Sequence, residues 1–141
     1  MNRIKKHDRA DDIIFMENKY INNREDMIEL YSHAKCLVVP SVYEPFGIVN
    51  IEAMSCGTPV VGSSVGGIKD IILDNKTGYM VKPGDPALFA DKINELLRNK
   101  EKQLAFGEAS RKRIIREFEW KKIAEKHLRL YADVLGKIKN D

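Results

Sequence analysis

The apolar residues in the first two thirds of the chain fall into short continuous runs, and segments with helical periodicity separate these runs. The runs predict four short strands: Ile13–Met16, Cys36–Pro40, Pro59–Ser64 and Tyr79–Pro83. Between them, apolar spacing and cap residues predict helices at residues 23–34, 48–56 and 67–73. This alternation indicates an α/β fold with a Rossmann-like parallel sheet flanked by helices. Because Cys36–Pro40 is continuously apolar, we expect that strand to be buried on both faces.

The last third of the chain has the pattern of helices only. Asp85 is typical of an N-cap, and Pro86 follows at the first helical position. The apolar face of this helix is expected to contain Phe89, Ile93, Leu96 and Leu97. Two more helices are predicted at residues 102–118 and 120–138. We therefore expect a single domain over residues 1–141, with a flexible start (1–12), a β/α core (13–98) and a tail of C-terminal helices (99–141).

The composition, with 43% hydrophobic and 32% charged residues, is typical of a soluble globular domain and excludes a disordered or fibrous chain. The apolar runs are far too short for a transmembrane segment, and the N-terminal residues lack the hydrophobic region of a secretory signal. Cys36 and Cys56 do not have the spacing of a zinc site. We expect a cytoplasmic protein in which both cysteines are buried thiols.

Positive charge is concentrated in the C-terminal helices. Residues 98–141 carry 13 Lys and Arg against 7 Asp and Glu, and they include the run Arg111-Lys112-Arg113. Such a run can bind nucleic acid or a membrane surface. Five glutamates are interleaved with the basic residues, and the run itself contains no aromatic residue, so we interpret the run as a solvated helix face and expect no nucleic-acid partner.

The stretch PSVYEPFGIVNIEAMSCGTPVV begins at Pro40 and contains the residues with the clearest chemistry. Ligands of open parallel sheets bind at the carboxyl ends of the strands, and the predicted strand ending at Pro40 leads the chain to that edge. Gly47 allows the backbone to turn and to approach a ligand closely. The amides of Phe46, Gly47 and Ile48 would be free donors at a helix N-terminus, which attracts an anion such as phosphate.

Two glutamates flank this predicted anion site. Glu44 lies in the loop before it, and Glu52 lies about one and a half turns into the helix, given ~3.6 residues per turn. Neither carboxylate would bind phosphate, because like charges repel. Carboxylates beside a phosphate site commonly accept hydrogen bonds from sugar hydroxyls, as the acid on the ribose does in dinucleotide-binding folds. The arrangement therefore predicts a nucleotide sugar as the ligand, with one acid on each sugar.

The residues also resemble a known family. PSVYEPFGIVNIEAMSCGTPVVGSSVGGIKDII closely resembles the C-terminal, nucleotide-sugar-binding domain of retaining GT-B glycosyltransferases of group 1. The Glu-seven-Glu pair, the EPFG loop, EAM.C.TPVV and the later GG match in order, and the resemblance covers roughly residues 13–135. The forms PSVYEPFGIVN and VGGIKD look most like bacterial or archaeal members of the glycogen-synthase branch, whose donor is ADP-glucose or UDP-glucose.

The resemblance implies a role for each residue of the stretch. Glu44 is implied to bind the donor hexose near its reacting face, as the catalytic carboxylate, and Glu52 to bind the ribose. The amides of Phe46, Gly47 and Ile48 are implied to hold donor hydroxyls and the distal phosphate. The Phe46 side chain is also expected to belong to the core.

Four further residues have weaker assignments. Gly66 and Gly67 match the paired glycines of the family, and they equally fit a tight turn with close packing. Tyr20 lies in the segment that meets the nucleobase in relatives. Thr58 is expected to have a structural role, through turn hydrogen bonds.

The implied reaction is transfer of a hexose, with retention, from a nucleotide diphosphate to the hydroxyl of a glycan or other acceptor. No Asp-x-Asp pair is present, and His7, His33 and His127 lack ligand spacing, so we expect no metal and no cofactor.

Complete enzymes of this family have two Rossmann-like domains, and this chain corresponds to the second, without its opening portion. The N-terminal GT-B domain is thus an expected partner, and the isolated chain is expected to be an inactive half. Two alternatives remain open. One is a non-catalytic nucleotide-sugar-binding or regulatory module with the same fold. The other is a different Rossmann-like enzyme such as a dehydrogenase, although no G-x-G-x-x-G follows the first predicted strand.

Overall fold

A three-stranded parallel sheet organises the domain. The computed structural model describes residues 12–13 and 23–138. Strands β1 (Leu37–Val39), β2 (Val60–Ser63) and β3 (Gly78–Val81) lie side by side in the order β1-β2-β3. The register places Val61 opposite Val38 on one side and opposite Tyr79 on the other. The predicted parallel α/β sheet is confirmed for these three strands, whereas most of the predicted strand Ile13–Met16 lies outside the described residues.

Six helices surround and extend the sheet in the described part of the chain: α1 (Arg24–His33), α2 (Ile48–Ser55), α3 (Ile68–Ile71), α4 (Pro86–Arg98), α5 (Lys100–Glu117) and α6 (Trp120–Ile138). The caps that the sequence predicts are formed. The Asn23 side chain accepts a hydrogen bond from the amide of Glu25 at 2.7 Å, and Asp85 accepts one from the amide of Leu88 at 3.0 Å. Local side-chain chemistry therefore fixes where α1 and α4 begin.

The core is divided between the two faces of the sheet. Successive residues of a strand point to opposite faces, and Val60 and Val61 accordingly belong to two different apolar clusters. The Val60 cluster packs against α1, α2 and α3, and the Val61 cluster packs against α4. Helix α5 contributes Ile114 to the first cluster and Phe106 to the second. Both faces of the sheet are thus covered, and the edges of the sheet remain accessible to a ligand.

Three expectations about burial are wrong. Val38 is 37% exposed, because β1 is the edge strand of the sheet and this side chain has an open face. Leu97 is exposed. The last buried residue of α4 is Leu96, and Leu97, one position later, lies outside the buried face of the helix. Cys36 and Cys56 are free thiols, as expected, but they are only half-buried.

The run Arg111-Lys112-Arg113 on α5 is only partly a solvated face. Lys112 pairs with Glu108 at 2.6 Å in the exposed manner expected. Arg111, however, donates to the carbonyl oxygen of Ser55 at 2.9 Å, at the last residue of α2. Arg113 donates to the carbonyl oxygens of Asp70 and Ile71 at 2.6 and 2.8 Å, at the end of α3. The two arginines thus satisfy carbonyl groups at helix C-termini, where positive charge is favoured.

Candidate functional site

The loop after β1 and the start of α2 form the centre of the candidate site. Gly47 precedes α2 with φ +94° and ψ 52°, a left-handed conformation that glycine adopts without steric cost. Within the described chain, no side chain caps this helix. Because β1 and β2 are parallel neighbours, the loops that follow them lie at the same carboxyl edge of the sheet. The N-terminus of α2 therefore lies where the sequence predicts it, at the carboxyl edge of the sheet.

Gly66 and Gly67, in the loop after β2, pack directly against the loop after β1. A Cβ atom on Gly66 would lie 2.0 Å from the carbonyl oxygen of Glu44. A Cβ atom on Gly67 would lie 2.6 Å from the Cα atom of Phe46. These distances leave no room for any side chain, so the paired glycines are required for the close approach of the two loops. Close packing is sufficient by itself to explain this pair of glycines. Contact of either glycine with a ligand stays a prediction.

The two glutamates flank the start of α2 in different environments. Glu44 is half-buried, and its Cγ atom lies 3.4 Å from where a Gly47 Cβ would be. Its main-chain carbonyl oxygen accepts a hydrogen bond from the amide of Gly67 at 3.2 Å, but its carboxylate has no hydrogen bond or ion pair with the described residues. Glu52 is exposed, and its Oε2 atom accepts a hydrogen bond from the hydroxyl of Tyr31 at 3.1 Å. Both carboxylates keep free acceptor positions.

Tyr31 on α1 is a residue that the sequence patterns did not single out. It is 8% exposed, and burial together with the hydrogen bond to Glu52 raises the pKa of its hydroxyl to about 12. The buried hydroxyl of Thr58 donates to the main-chain carbonyl oxygen of Tyr31 at 2.5 Å. Thr58 therefore has the structural role expected of it, although the bond joins two distant segments. A tyrosine among the apolar positions of an amphipathic helix was the one available signal, because a buried hydroxyl needs a partner.

Asn50 is a second residue that the sequence reasoning missed. It lies in the first turn of α2 and is fully buried, and neither of its side-chain polar atoms has a hydrogen-bond partner among the described residues. Its Nδ2 atom lies 2.4 Å from where a Cβ of Gly47 would be, directly below the turn. A buried amide without partners is costly, so such a group beside a candidate anion site needs an explanation. An asparagine flanked by apolar residues in the first turn of a helix was the available signal.

The outer surface of the loop is apolar and exposed, which corrects one expectation. Phe46 is 46% exposed and is not part of the core, because the chain turns at Gly47 and leaves the ring on the outside. Exposed apolar residues continue on both sides of it: Val42, Tyr43, Ile48 and Val49. Tyr20, the predicted neighbour of the nucleobase, lies outside the described residues.

Metal-ligating side chains do not cluster in residues 12–13 and 23–138, and no helix there is long and apolar enough to cross a membrane. His33 and His127 each lie on a helix surface with Nδ1 close to the carbonyl oxygen four residues earlier, at 2.9 and 2.8 Å. These local contacts are sufficient to explain the positions of both histidines.

Comparison with known proteins identifies the family. Residues 2–113 match the family model described as Glycosyl transferases group 1. The chain belongs to this family. It is 43% identical over 112 residues to the alpha-maltose-1-phosphate synthase of Mycolicibacterium smegmatis, and the match covers 75% of this chain and 29% of that protein. Among solved structures, sucrose-phosphate synthase from Thermosynechococcus elongatus is 40% identical with a TM-score of 0.71, and the match covers 77% of this chain and 27% of that one.

A second similar structure was solved with ligands. The Anabaena protein HepE, in complex with UDP and glucose, is 26% identical with a TM-score of 0.73, and the match covers 84% of this chain and 33% of that chain. This glycosyltransferase group 1 domain therefore spans about a third or less of each relative it is compared with. The first two of these relatives are named as synthases of maltose-1-phosphate and of sucrose-phosphate, not of glycogen, so the family is established and the expected branch is not.

Proposed function

We propose that this domain binds the nucleotide-diphosphate-sugar donor of a retaining hexosyltransferase, at the sheet edge formed by the loops after β1 and β2. One observation carries the proposal. The Glu44 side chain, whose carboxylate has no partner among the described residues, lies against the left-handed glycine that begins an uncapped helix. An unpaired carboxylate and unpaired amides side by side fit a ligand that has hydroxyl groups next to phosphate.

Each part of the donor has a matching group. The first-turn amides and dipole of α2 favour the negative charge of the pyrophosphate. The carboxylate of Glu44 accepts hydrogen bonds from the hexose hydroxyls, and that of Glu52 accepts from the ribose hydroxyls. The exposed Phe46 and its apolar neighbours form the rim of the donor site, on which other parts of the enzyme pack.

In the proposed reaction the bond between the anomeric carbon and the β-phosphate oxygen breaks, and the acceptor hydroxyl oxygen bonds to the same face of that carbon. The departing diphosphate takes the bond's electron pair and receives the acceptor's proton. Negative charge that grows on the phosphate is stabilised by the start of α2, and positive charge that grows on the hexose by the carboxylate of Glu44. No metal and no other cofactor takes part in this scheme.

The remaining parts of the proposal come from the relatives. The similarity to a maltose-1-phosphate synthase and a sucrose-phosphate synthase favours a glucosyl donor, with UDP-glucose or ADP-glucose as candidates. The HepE structure with UDP and glucose supports the same class of ligand. We propose that the acceptor site and the rest of the active site lie on an N-terminal GT-B domain. The free thiols of Cys36 and Cys56 fit a cytoplasmic location.

Calorimetric titration of the 141-residue chain with ADP-glucose, UDP-glucose, GDP-mannose and the three free nucleoside diphosphates tests the donor site. Glu52→Gln is expected to weaken both the sugar nucleotides and the free diphosphates by about tenfold or more, because a hydrogen bond to a charged group is lost. Glu44→Gln is expected to weaken only the sugar nucleotides, because this residue meets the hexose. The control is Glu108→Gln, an exposed acid on α5. Loss of affinity only in Glu108→Gln, or in none of the variants, would contradict the proposal.

Release of nucleoside diphosphate, followed in a coupled assay, tests the catalytic part. The chain alone is expected to give no turnover. Fusion to the N-terminal domain of a close relative is expected to restore transfer in the wild type but not in Glu44→Gln. A fusion that binds donor and still transfers nothing would favour a non-catalytic binding or regulatory module. Binding of NAD without binding of any nucleoside diphosphate would favour a dehydrogenase-like protein.

A further inference from the structure

Tyr31 is held at both of its ends in the interior of the domain. Its hydroxyl donates to the Glu52 carboxylate on α2 at 3.1 Å, and its main-chain carbonyl oxygen accepts from the hydroxyl of Thr58 at 2.5 Å. Its ring packs in the core cluster that includes Met54 and Val60. The position of its hydroxyl oxygen is therefore fixed by the protein core.

Glu52, by contrast, is an exposed side chain with several rotatable bonds. A free glutamate on a helix surface samples several rotamers, and ordering it on ligand binding costs conformational entropy. The hydrogen bond from Tyr31 to Oε2 selects one orientation before any ligand arrives. An ionised carboxylate has about four lone-pair positions, so one hydrogen bond to Oε2 leaves Oε1 and part of Oε2 available.

We propose that Tyr31 is a positioning residue for recognition of the donor's ribose. Its hydroxyl holds the Glu52 carboxylate so that the remaining lone pairs accept hydrogen bonds from the vicinal 2′- and 3′-hydroxyls. The inference rests on the proposed function, since it requires Glu52 to be the ribose acceptor. It adds that a residue on α1, which does not touch the donor itself, sets the selectivity for ribonucleotides over deoxyribonucleotides.

The test compares ribonucleotides with their dideoxy forms. Wild type and Tyr31→Phe are titrated with UDP and ADP and with 2′,3′-dideoxy-UDP and 2′,3′-dideoxy-ADP. Loss of one hydrogen bond of ordinary strength corresponds to a change of about threefold to tenfold in Kd. Tyr31→Phe is therefore expected to weaken the ribonucleotides by this factor and to leave the dideoxy forms within twofold. A general loosening of the fold would weaken both forms equally.

Tyr79→Phe is the matched control. Tyr79 is likewise a buried tyrosine whose hydroxyl donates to a glutamate on a neighbouring helix, Glu95 on α4, at 2.5 Å, but it belongs to the other core cluster. Both variants lose a hydroxyl that donates to a glutamate, and the Tyr79 hydroxyl in addition accepts a hydrogen bond from Lys102 at 3.1 Å. Tyr79→Phe is expected to change neither ribonucleotide nor dideoxynucleotide affinity, although its thermal midpoint shifts in the same direction as that of Tyr31→Phe.

A double-mutant cycle separates positioning from an independent effect. In the Glu52→Gln background, Tyr31→Phe is expected to cost no further ribonucleotide affinity, because the carboxylate that it orients is gone. Glu52→Asp provides a second route that leaves the tyrosine in place. Its carboxylate is one methylene shorter and loses the bond to Tyr31, so it is expected to show the same selective loss even if Tyr31→Phe folds poorly.

Three outcomes decide the matter. Selective loss in Tyr31→Phe that does not add to the loss in Glu52→Gln supports the inference, and selective loss in Glu52→Asp supports it as well. Equal loss for ribose and dideoxyribose, or losses that add with Glu52→Gln, overturns the positioning role and leaves the donor site intact. If the wild type does not prefer ribonucleotides and Glu52→Gln binds them as tightly, the ribose role of Glu52 fails, and both proposals fall together.

Discussion

The amide of Gly67 donates a hydrogen bond to the main-chain carbonyl oxygen of Glu44 at 3.2 Å, and this bond joins the two loops at the carboxyl edge of the sheet. Around it the two backbones are in direct contact, with no side chain between them. Because Glu44 is the residue to which we assign the donor hexose, its position depends on a contact made by a residue more than twenty positions later in the chain.

Replacement of Gly67 by alanine is expected to damage both the fold and the site. The new Cβ would lie 2.6 Å from the Cα atom of Phe46 and 2.7 Å from its carbonyl oxygen, and backbone atoms cannot rotate away as a side chain can. Overpacking of this kind costs roughly 1–3 kcal/mol. We expect Gly67→Ala to lower the free energy of unfolding in urea by that amount and to weaken sugar-nucleotide binding in calorimetry.

Gly136→Ala is the control for this change, because a Cβ on Gly136 meets nothing within 4 Å. Alanine is the better helix former, so this variant on α6 is expected to be as stable as the wild type or slightly more stable. Equal stabilities of Gly67→Ala and Gly136→Ala would mean that the two loops separate without cost.

Arg113 is expected to stabilise the domain far more than its neighbour Lys112. Its guanidinium donates to the carbonyl oxygens of Asp70 and Ile71 and lies over the ring of Phe118, with 5.7 Å from its Cζ atom to the ring centroid. Arg113→Gln removes these bonds and leaves the part-buried carbonyl group of Ile71 unpaired, which costs roughly 1–3 kcal/mol. The measurement is the urea unfolding midpoint.

Lys112→Gln makes the same change of charge one position earlier on the same helix. The Lys112–Glu108 pair is exposed on both sides, and exposed pairs of this kind contribute little. We therefore expect an unfolding midpoint close to that of the wild type. If the two variants were equally destabilised, net charge rather than docking of α5 on α3 would be responsible.

Acidification is expected to weaken the packing of α4 against β3 and α5 through Glu95. Hydrogen bonds from Lys102, Tyr79 and Lys92 lower the pKa of the Glu95 carboxyl from 4.5 to about 2. Since the pKa in the folded state is lowered, the stabilisation is present above about pH 4.5 and is lost as the pH falls toward 2. The side chain is 37% exposed, so solvent screening makes the effect modest.

Unfolding in urea at pH 7 and at pH 3 measures this effect. The stability difference between the wild type and Glu95→Gln is expected to be larger at pH 7 than at pH 3. Acid protonates the Glu95 carboxylate of the wild type and so removes the same charge interactions that the substitution removes at any pH. Asp91→Asn, which replaces an exposed acid on the same helix, is the control for a general effect of charge. A Glu95→Gln difference that stays constant with pH would rule out this carboxylate as the acid-sensitive group.

The order of elements could be predicted from the sequence because it depends on local patterns. The capping residues Asn23 and Asp85 precede helices that begin one residue later, and the apolar runs around Val38 and Val61 form the strands. The left-handed Gly47 at the start of α2 is likewise a local signal. Chemistry that is local in sequence therefore gave both the fold class and the centre of the candidate site.

The contacts that complete the site could not be predicted in this way. The bond between Tyr31 and Glu52 joins residues 21 positions apart, and it depends on how α1 packs against α2. The exposure of Phe46 has a similar cause, since apolar character alone indicates burial, and only the direction of the turn at Gly47 puts the ring outside. Long-range packing decides such features, and a single sequence does not record it.

Self-association through α6 is the last expected property. The helix exposes a row of large apolar side chains: Trp120, Leu128, Leu130, Tyr131, Val134 and Leu135. Trp120 is 84% exposed and Tyr131 is 57% exposed, and apolar surface of this extent favours association in water. We expect the weight-average mass in sedimentation equilibrium to rise with concentration, and the paired change Leu128→Gln with Leu135→Gln to suppress the rise. The paired change Arg129→Gln with Asp133→Asn keeps the apolar row and should leave association unchanged. A wild type that stays monomeric at the highest concentration tested would show that this surface is too small or too dispersed to associate by itself.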